Sequence, residues 1–418
     1  MIKVLIISYT DEKEKKFNNL DLADSFPRHG VNLSYLVWIK ESDSPKVKQF
    51  IPKVIACLIL AVSRRINFYF SRQNRHQFWV YSLLLRPIFW KSDVIHLHLI
   101  ENGWFEIRLV RLISYLKPTI WTWHDLWPVT GHCIQPVKCE NWLNACSTCP
   151  QLNSPFPVAF DRTFKERSTK ANLWEKSQFR IHVSTEWMEM QIRRALPSLV
   201  GRVRVIPFGL KSYGTLNNKL YARSKLKISM DDLVVGVRGS DSLPKGTIDF
   251  ANFLKSNPTI AREVTLIDFD SSGLFNEIEL KDLITYSWRT QEEIEDILIA
   301  SDVFVVPSYA ESFGILAVQA QLLGCLVVAR SSTALLETLG GEARALYFSR
   351  KIDIDLAGIF QSLINGEEYL EVRDRAKKWS SSQYSSDVYL RKMTAYYGEI
   401  LSEKSPRFFR KKITYLDD

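Results

Sequence analysis

Short apolar runs recur along this chain, separated by stretches with helical spacing. Residues 4–7, 94–98, 119–123, 181–183, 203–206, 233–237, 264–267, 303–306 and 326–328 each read as a buried strand. Runs of this kind need cover on both faces, which argues for parallel sheets built from strand–helix–strand units. The best-defined unit spans residues 302–329. Val303, Phe304, Val305 and Val306 form a strand stopped by Pro307. Ile315, Leu316, Val318, Leu322 and Leu323 then fall at helical spacing, Gly324 closes the helix, and Leu326 begins the next strand. Glu311 and Gly314 lie in the turn between. In an open α/β sheet that is where ligands bind and where free N–H groups attract phosphate.

At 418 residues the chain exceeds one ordinary core, so two domains are expected. A break falls within residues 209–231, where Gly209, Gly214, Asn217 and Asn218 precede a polar, basic stretch. Several strands end on polar residues, Ser8, His98, His124 and Ser184, which a parallel sheet would bring to one edge. The formal charge of +9 implies an anionic partner: nucleic acid, phosphorylated substrate or anionic lipid.

No leader peptide is evident. The most apolar stretch, residues 51–62, contains Pro52 and Lys53 and is well short of the ~20 apolar residues of a membrane span. A cytoplasmic, reduced setting is expected, with thiols rather than disulfides. Cys133, Cys139, Cys146 and Cys149 cluster within 17 residues, the last pair at metal-ligand spacing, which suggests a structural zinc site; unligated loop thiols are the alternative. Cys57 and Cys325 read as core.

The pattern Pro307-Ser308-x-x-Glu311-x-Phe313-Gly314 with a helix behind it resembles the signature of glycosyltransferase family 4. The resemblance implies an α/β protein of GT-B fold: two Rossmann-like domains facing a cleft, retaining chemistry, a nucleotide-sugar donor and no catalytic metal. On that basis residues 1–211 form the acceptor domain, completed by a C-terminal helix over 381–401. Residues 212–380 form the donor domain, and 402–418 a basic tail. The resemblance places Arg238, Lys245, Glu311, Phe313, Gly314 and Gln319 around the donor. Lys245 and Arg238 would hold the diphosphate, because a leaving group that gains charge needs fixed cations or helix N-termini. Glu311 would bind sugar hydroxyls. The family's second glutamate is replaced by Gln319, whose amide still donates and accepts hydrogen bonds. Glu337 resembles the glutamate of a further family loop, with Ser332-Thr333 in place of glycines.

In the first domain His98, Asn102, Gly103, His124 and Asp125 are assigned to the acceptor side, and His124, Lys245 and Glu311 are the catalytic candidates. His96 is read as pointing to the opposite strand face and packing there. The loop after the first strand carries no glycine, and Phe208 replaces an expected Asn in the interdomain turn, so the chain is a divergent member. The cysteine segment, with Trp127, Gly131, Trp142 and Pro150, resembles an insertion in colanic-acid-type enzymes that build exopolysaccharide. The acceptor is then a saccharide, lipid-linked if it sits at a membrane.

Basic and aromatic residues interleave over 46–90 and again over 407–412. That combination suits an anionic membrane surface, and also single-stranded nucleic acid. The absence of a nucleic-acid motif favours the membrane, with the protein peripheral on the inner face of the plasma membrane. The alternatives are another GT-B enzyme, such as a sugar-nucleotide epimerase or phosphorylase, or a non-catalytic saccharide- or membrane-binding scaffold.

Overall fold

The computed structural model describes residues 1–11, 16–153, 156–211, 218–286, 290–349 and 352–404. The chain forms two compact units: Met1–Gly209 joined by the chain from Ser386 onward, and Leu210–Ser385. Residues 407–412 of the expected membrane-binding tail lie outside the described residues.

The first unit is built on seven parallel strands: β1 Ile2–Thr10, β2 Val31–Ile39, β3 Val47–Gln49, β4 Val94–His98, β5 Thr119–Thr122, β6 Arg180–Val183 and β7 Val203–Val205. Their spatial order is β3-β2-β1-β4-β5-β6-β7. The two-residue strand period divides the side chains between two cores. Leu5, Ile7, Leu36, Trp38, Ile95, Leu97, Trp121, Ile181 and Val183 face one core, which includes Ala56 and Leu60 of α1 (Lys53–Phe70) and Trp174 of α2 (Thr163–Glu175). Val4, Ile6, Leu33, Tyr35, Val37, Val94 and Ile120 face the other. That core holds Tyr389, Leu390, Met393, Tyr396, Tyr397 and Ile400 of the last described helix, Ser386–Lys404.

The second unit is a six-stranded parallel sheet, order β10-β9-β8-β11-β12-β13. Its strands are β8 Leu233–Val237, β9 Val264–Asp268, β10 Asp282–Thr285, β11 Val303–Val306, β12 Leu326–Arg330 and β13 Leu346–Phe348. Helix α3 (Gln291–Ala300) opens with a capping box between Thr290 and Glu293, which satisfies two orphan N–H groups at once. Helix α4 (Ile315–Leu322) begins at Gly314, whose φ of 78° is left-handed; a Cβ there would stand 2.7 Å from Leu335 Cδ2. The helix Ser386–Lys404 is α5.

Met393 is fully buried between α5 and the sheet. Met393→Ala should cost about 2–5 kcal/mol by transfer and cavity terms. Denaturant unfolding should show that loss in the first unit, whose sheet α5 covers, and leave the second unit's transition unchanged.

Candidate functional site

In the second unit the loops after adjacent strands β8 and β11 are knitted together. Tyr309 N–H donates to Pro244 O at 2.8 Å. Gly246 has φ 62°, and a Cβ there would lie 2.1 Å from Pro307 O, so only glycine lets the loops approach. This approach brings Lys245 Nζ to 2.7 Å from Glu311 Oε1. The same oxygen accepts from Ser308 Oγ at 2.9 Å, and Glu311 N–H donates to Thr333 Oγ1 at 2.9 Å. Two residues 66 apart in sequence therefore meet at the carboxyl edge of the sheet.

Arg238 does not join that pair in its hydrogen bonding: its Nε donates to Asp270 Oδ2 at 2.8 Å. Phe313 is buried edge-on against Tyr384, with ring centroids 5.3 Å apart. Gln319 is buried too, and its amide donates to Glu295 Oε1 of α3 at 3.4 Å. Sequence reasoning gave no role to Asp249, Tyr309 or Arg330. Arg330 lies 4.1 Å over the Tyr309 ring and 2.8 Å from Asp249, and its Nε donates to Pro307 O, bracing the loop that carries Glu311.

In the first unit four of the seven histidines cluster at the carboxyl ends of β4, β5 and β6. His96 and His98 are on the same face, with ring centroids 4.1 Å apart, which corrects the expectation that they diverge: residues two apart on a strand share a face. The proton directions in one chain follow from its end. His182 Nε2 lies 2.8 Å from Ile206 O, and a carbonyl only accepts, so that nitrogen carries the hydrogen. His182 Nδ1 then accepts from Thr122 Oγ1 at 2.8 Å, His96 Nε2–H donates to Thr122 Oγ1 at 2.7 Å, and Tyr397 O–H of α5 donates to His96 Nδ1 at 2.8 Å. Every member is neutral and satisfied, so an extra proton would break the chain. His182 went unremarked in the sequence because it is flanked by Ile181 and Val183 within an ordinary apolar run.

His98 Nδ1 sits 3.1 Å from His124 Nε2. His124 stacks on Phe208, at 5.6 Å and 14°, with Phe17 edge-on at 5.2 Å. Its Nδ1 is buried without a hydrogen-bond partner among the described residues. Burial lowers the His124 pKa to about 3 and that of His182 to about 4, and takes His96 and His98 well below the usual range. Asp125 turns back to accept from Trp127 N–H at 2.7 Å, and burial raises its pKa to about 7. Lys170 of α2, absent from the sequence reading, supports this turn: its Nζ donates to Trp127 O at 2.6 Å and lies 3.9 Å over the indole. Asn102 and Gly103 line a separate pocket with α1 whose lining includes neither His98 nor His124.

All six cysteines are free thiols. Burial, with Cys146 and Cys149 nearby, pushes Cys133 up to about 12, and Cys146 Sγ accepts from Gly131 N–H at 3.1 Å. Among the described residues no three His, Cys, Asp or Glu side chains are gathered as metal ligands.

The family described as Glycosyl transferases group 1 matches residues 272–380, the part of the second unit that carries Glu311 and α4. The chain is 23% identical over 319 residues to WcaC of Escherichia coli (strain K12), named as a glycosyl transferase of colanic acid biosynthesis. The match covers 72% of this chain and 74% of that protein. In fold it is similar to sucrose-phosphate synthase from Thermosynechococcus elongatus, with TM-score 0.67 and 16% identity over 96% of this chain and all of the other. It is also similar to Anabaena HepE, solved in complex with UDP-glucose, with TM-score 0.63 and 15% identity over 96% and 100% of the two chains. The architecture is that of the GT-B glycosyltransferases, and the enzyme class is transferase.

The histidine cluster sets a pH dependence. Each depressed imidazole contributes stability that is complete above its unfolded pKa of about 6.5 and is lost as pH falls toward the folded value. The raised Asp125 acts oppositely, contributing at low pH and losing that contribution as pH rises toward about 7. With four groups against one, thermal stability of the first unit should fall on acidification from pH 7 to pH 4. Differential scanning calorimetry should show this, and His182→Gln should flatten the slope.

Proposed function

We propose that the protein transfers a glycosyl unit from a nucleotide-sugar donor to a saccharide acceptor in bacterial surface-polysaccharide synthesis, with retention at the anomeric carbon. The observation that carries this reading is the Lys245–Glu311 pair at 2.7 Å on the carboxyl edge of the second sheet. Breaking the sugar–phosphate bond leaves charge on the diphosphate, and Lys245 would neutralise it. Glu311 would accept from donor hydroxyls, its Oε1 held by Ser308 and Lys245 until then. Arg238 would exchange Asp270 for phosphate. His124, neutral with one open ring nitrogen, would receive the acceptor side. The acceptor oxygen would form its bond on the face the diphosphate leaves, passing its proton to the departing phosphate.

Lys245→Ala should lower turnover tenfold or more, since a charge-assisted contact to the leaving group is worth about 1.5–3 kcal/mol. Glu311→Gln should lower turnover and blunt donor selection. The assay is release of nucleoside diphosphate on addition of acceptor. Wild-type rates in both variants reject this placement of the donor, and release without acceptor points instead to an epimerase or hydrolase.

We also propose that an anionic bilayer is the working surface, reached through α1. The helix buries Ala56, Leu60, Ser63 and Asn67 and exposes Val54, Ile55, Leu58 and Val62, the last two at 63% and 57%. An apolar helix face left outward suits a bilayer interface. Lys53, Arg64 and Arg65 are exposed on the same helix, and each cation near an anionic surface adds about 1 kcal/mol. No described helix is long and apolar enough to cross a membrane. Leu58→Glu should weaken co-sedimentation with anionic liposomes, and added salt should weaken it in the wild type. Unchanged binding in the variant rejects α1 as the contact.

Zinc at Cys133, Cys139, Cys146 and Cys149 is a separate proposal, supported by their shared segment and electrostatic proximity. Elemental analysis of the reduced protein should find one zinc per chain, lost in Cys146→Ser; none in the wild type rejects it.

A further inference from the structure

A cavity of about 490 Å³ opens in the first unit beside the C-terminal half of α1. That volume falls within the roughly 300–1,000 Å³ of small-molecule sites. It is walled by α1, by the turn after β4 around Glu101 and Gly103, and by Phe156 to Val158. The walls are tied together. Ala159 N–H donates to Phe68 O at 3.0 Å, Phe160 N–H donates to Ser71 Oγ at 3.0 Å, and Gln77 Nε2 donates to Gly103 O at 3.1 Å. Gly103, with φ 81°, lies against Asn67 Nδ2.

Two kinds of group in this wall lack their complement. Asn67 and Asn74 are each more than nine-tenths buried, and the Oδ1 of both has no hydrogen-bond partner among the described residues. Asn74 cannot relieve this by turning, because its Nδ2 donates to Ile100 O at 2.7 Å. Buried acceptors without donors cost free energy until a donor arrives. Arg64 and Arg65 stand on the same wall, exposed, with no carboxylate partner among the described residues. Phe68, Tyr69 and Phe156 supply aromatic faces. A ligand that complements this wall carries O–H donors, an anionic group that suits a guanidinium fork, and an apolar ring face.

We propose that this cavity binds a phosphorylated saccharide: sugar hydroxyls donate to the Asn67 and Asn74 amide oxygens, and phosphate sits on Arg64 and Arg65. The proposal deepens the transferase reading, on which it rests for calling that saccharide the acceptor. The wall also reaches the loop that bears His124. Gln73, in the lining, accepts from Trp127 Nε1 at 2.6 Å and is 2.9 Å from His132 Nδ1 through its amide nitrogen.

The test is hydrogen exchange of the full chain with glucose 1-phosphate, glucose or inorganic phosphate. Peptides covering residues 62–76 and 99–106 are read, and UDP is a separate probe read over residues 238–247 and 307–314. Glucose 1-phosphate should protect the first two peptides at a concentration roughly tenfold below that needed for glucose or phosphate alone. Asn67→Leu and the exposed Arg65→Ala should each raise that concentration about tenfold. Absence of protection there, equal protection in both variants, or phosphate as effective as the sugar phosphate overturns the proposal; the last outcome leaves a simple anion site. UDP failing while the sugar phosphate binds rejects the donor reading and leaves the cavity's ligand standing.

Discussion

Parallel strands cannot be joined by a hairpin, so within each sheet the chain must return to the same edge before starting the next strand. Both sheets are wholly parallel. Each strand therefore delivers its C-terminal residue to one side, and the groups discussed above are found on or just after those ends. Lys245 and Glu311 pair because β8 and β11 are neighbours in the order of the second sheet. The four histidines meet because β4, β5 and β6 are neighbours in the first.

The two edges differ in electrostatic character. The second unit's edge holds paired charges, Lys245 with Glu311 and Arg238 with Asp270. The first unit's edge is neutral. Its imidazoles are buried deeply enough that desolvation keeps them uncharged, and a run of single-proton hydrogen bonds from Tyr397 to Ile206 fixes the tautomers of His96 and His182. Among the described residues, His124 Nδ1 and His98 Nε2 are buried ring nitrogens at that edge without a hydrogen-bond partner. Tyr397 comes from the end of the chain, so α5 contributes to this network as well as to the core.

Helix α1 buries Ala56 and Leu60 in the usual way but departs from the usual arrangement elsewhere. A surface helix normally hides its most apolar stripe, whereas here Ser63 and Asn67 face inward and Leu58 and Val62 outward. Asn67 of the inward face lines the cavity beside Gly103, and the apolar face of Leu58 and Val62 is exposed.

The periodic strands and the strand–turn–helix unit that carries Glu311 were legible from residue pattern alone, because strand runs and helix stops are local signals. Strand β2 was also legible, as an alternation running into Tyr35 to Ile39, and was passed over. Edge strands β10 and β13 were not, since four and three residues become strand only where a neighbour supplies the ladder. Pairings across long separations lay beyond the sequence as well. Nothing local links Lys245 to Glu311, His96 to Tyr397, or Lys170 to Trp127. The sequence by itself determined which side chains stand at strand ends, because the two-residue and 3.6-residue periods are properties of the backbone. Only the tertiary structure decided which of those ends are adjacent, which imidazoles are stripped of water, and which face of α1 is left outside. Strand order and burial depend on contacts between distant segments, and no local period encodes them.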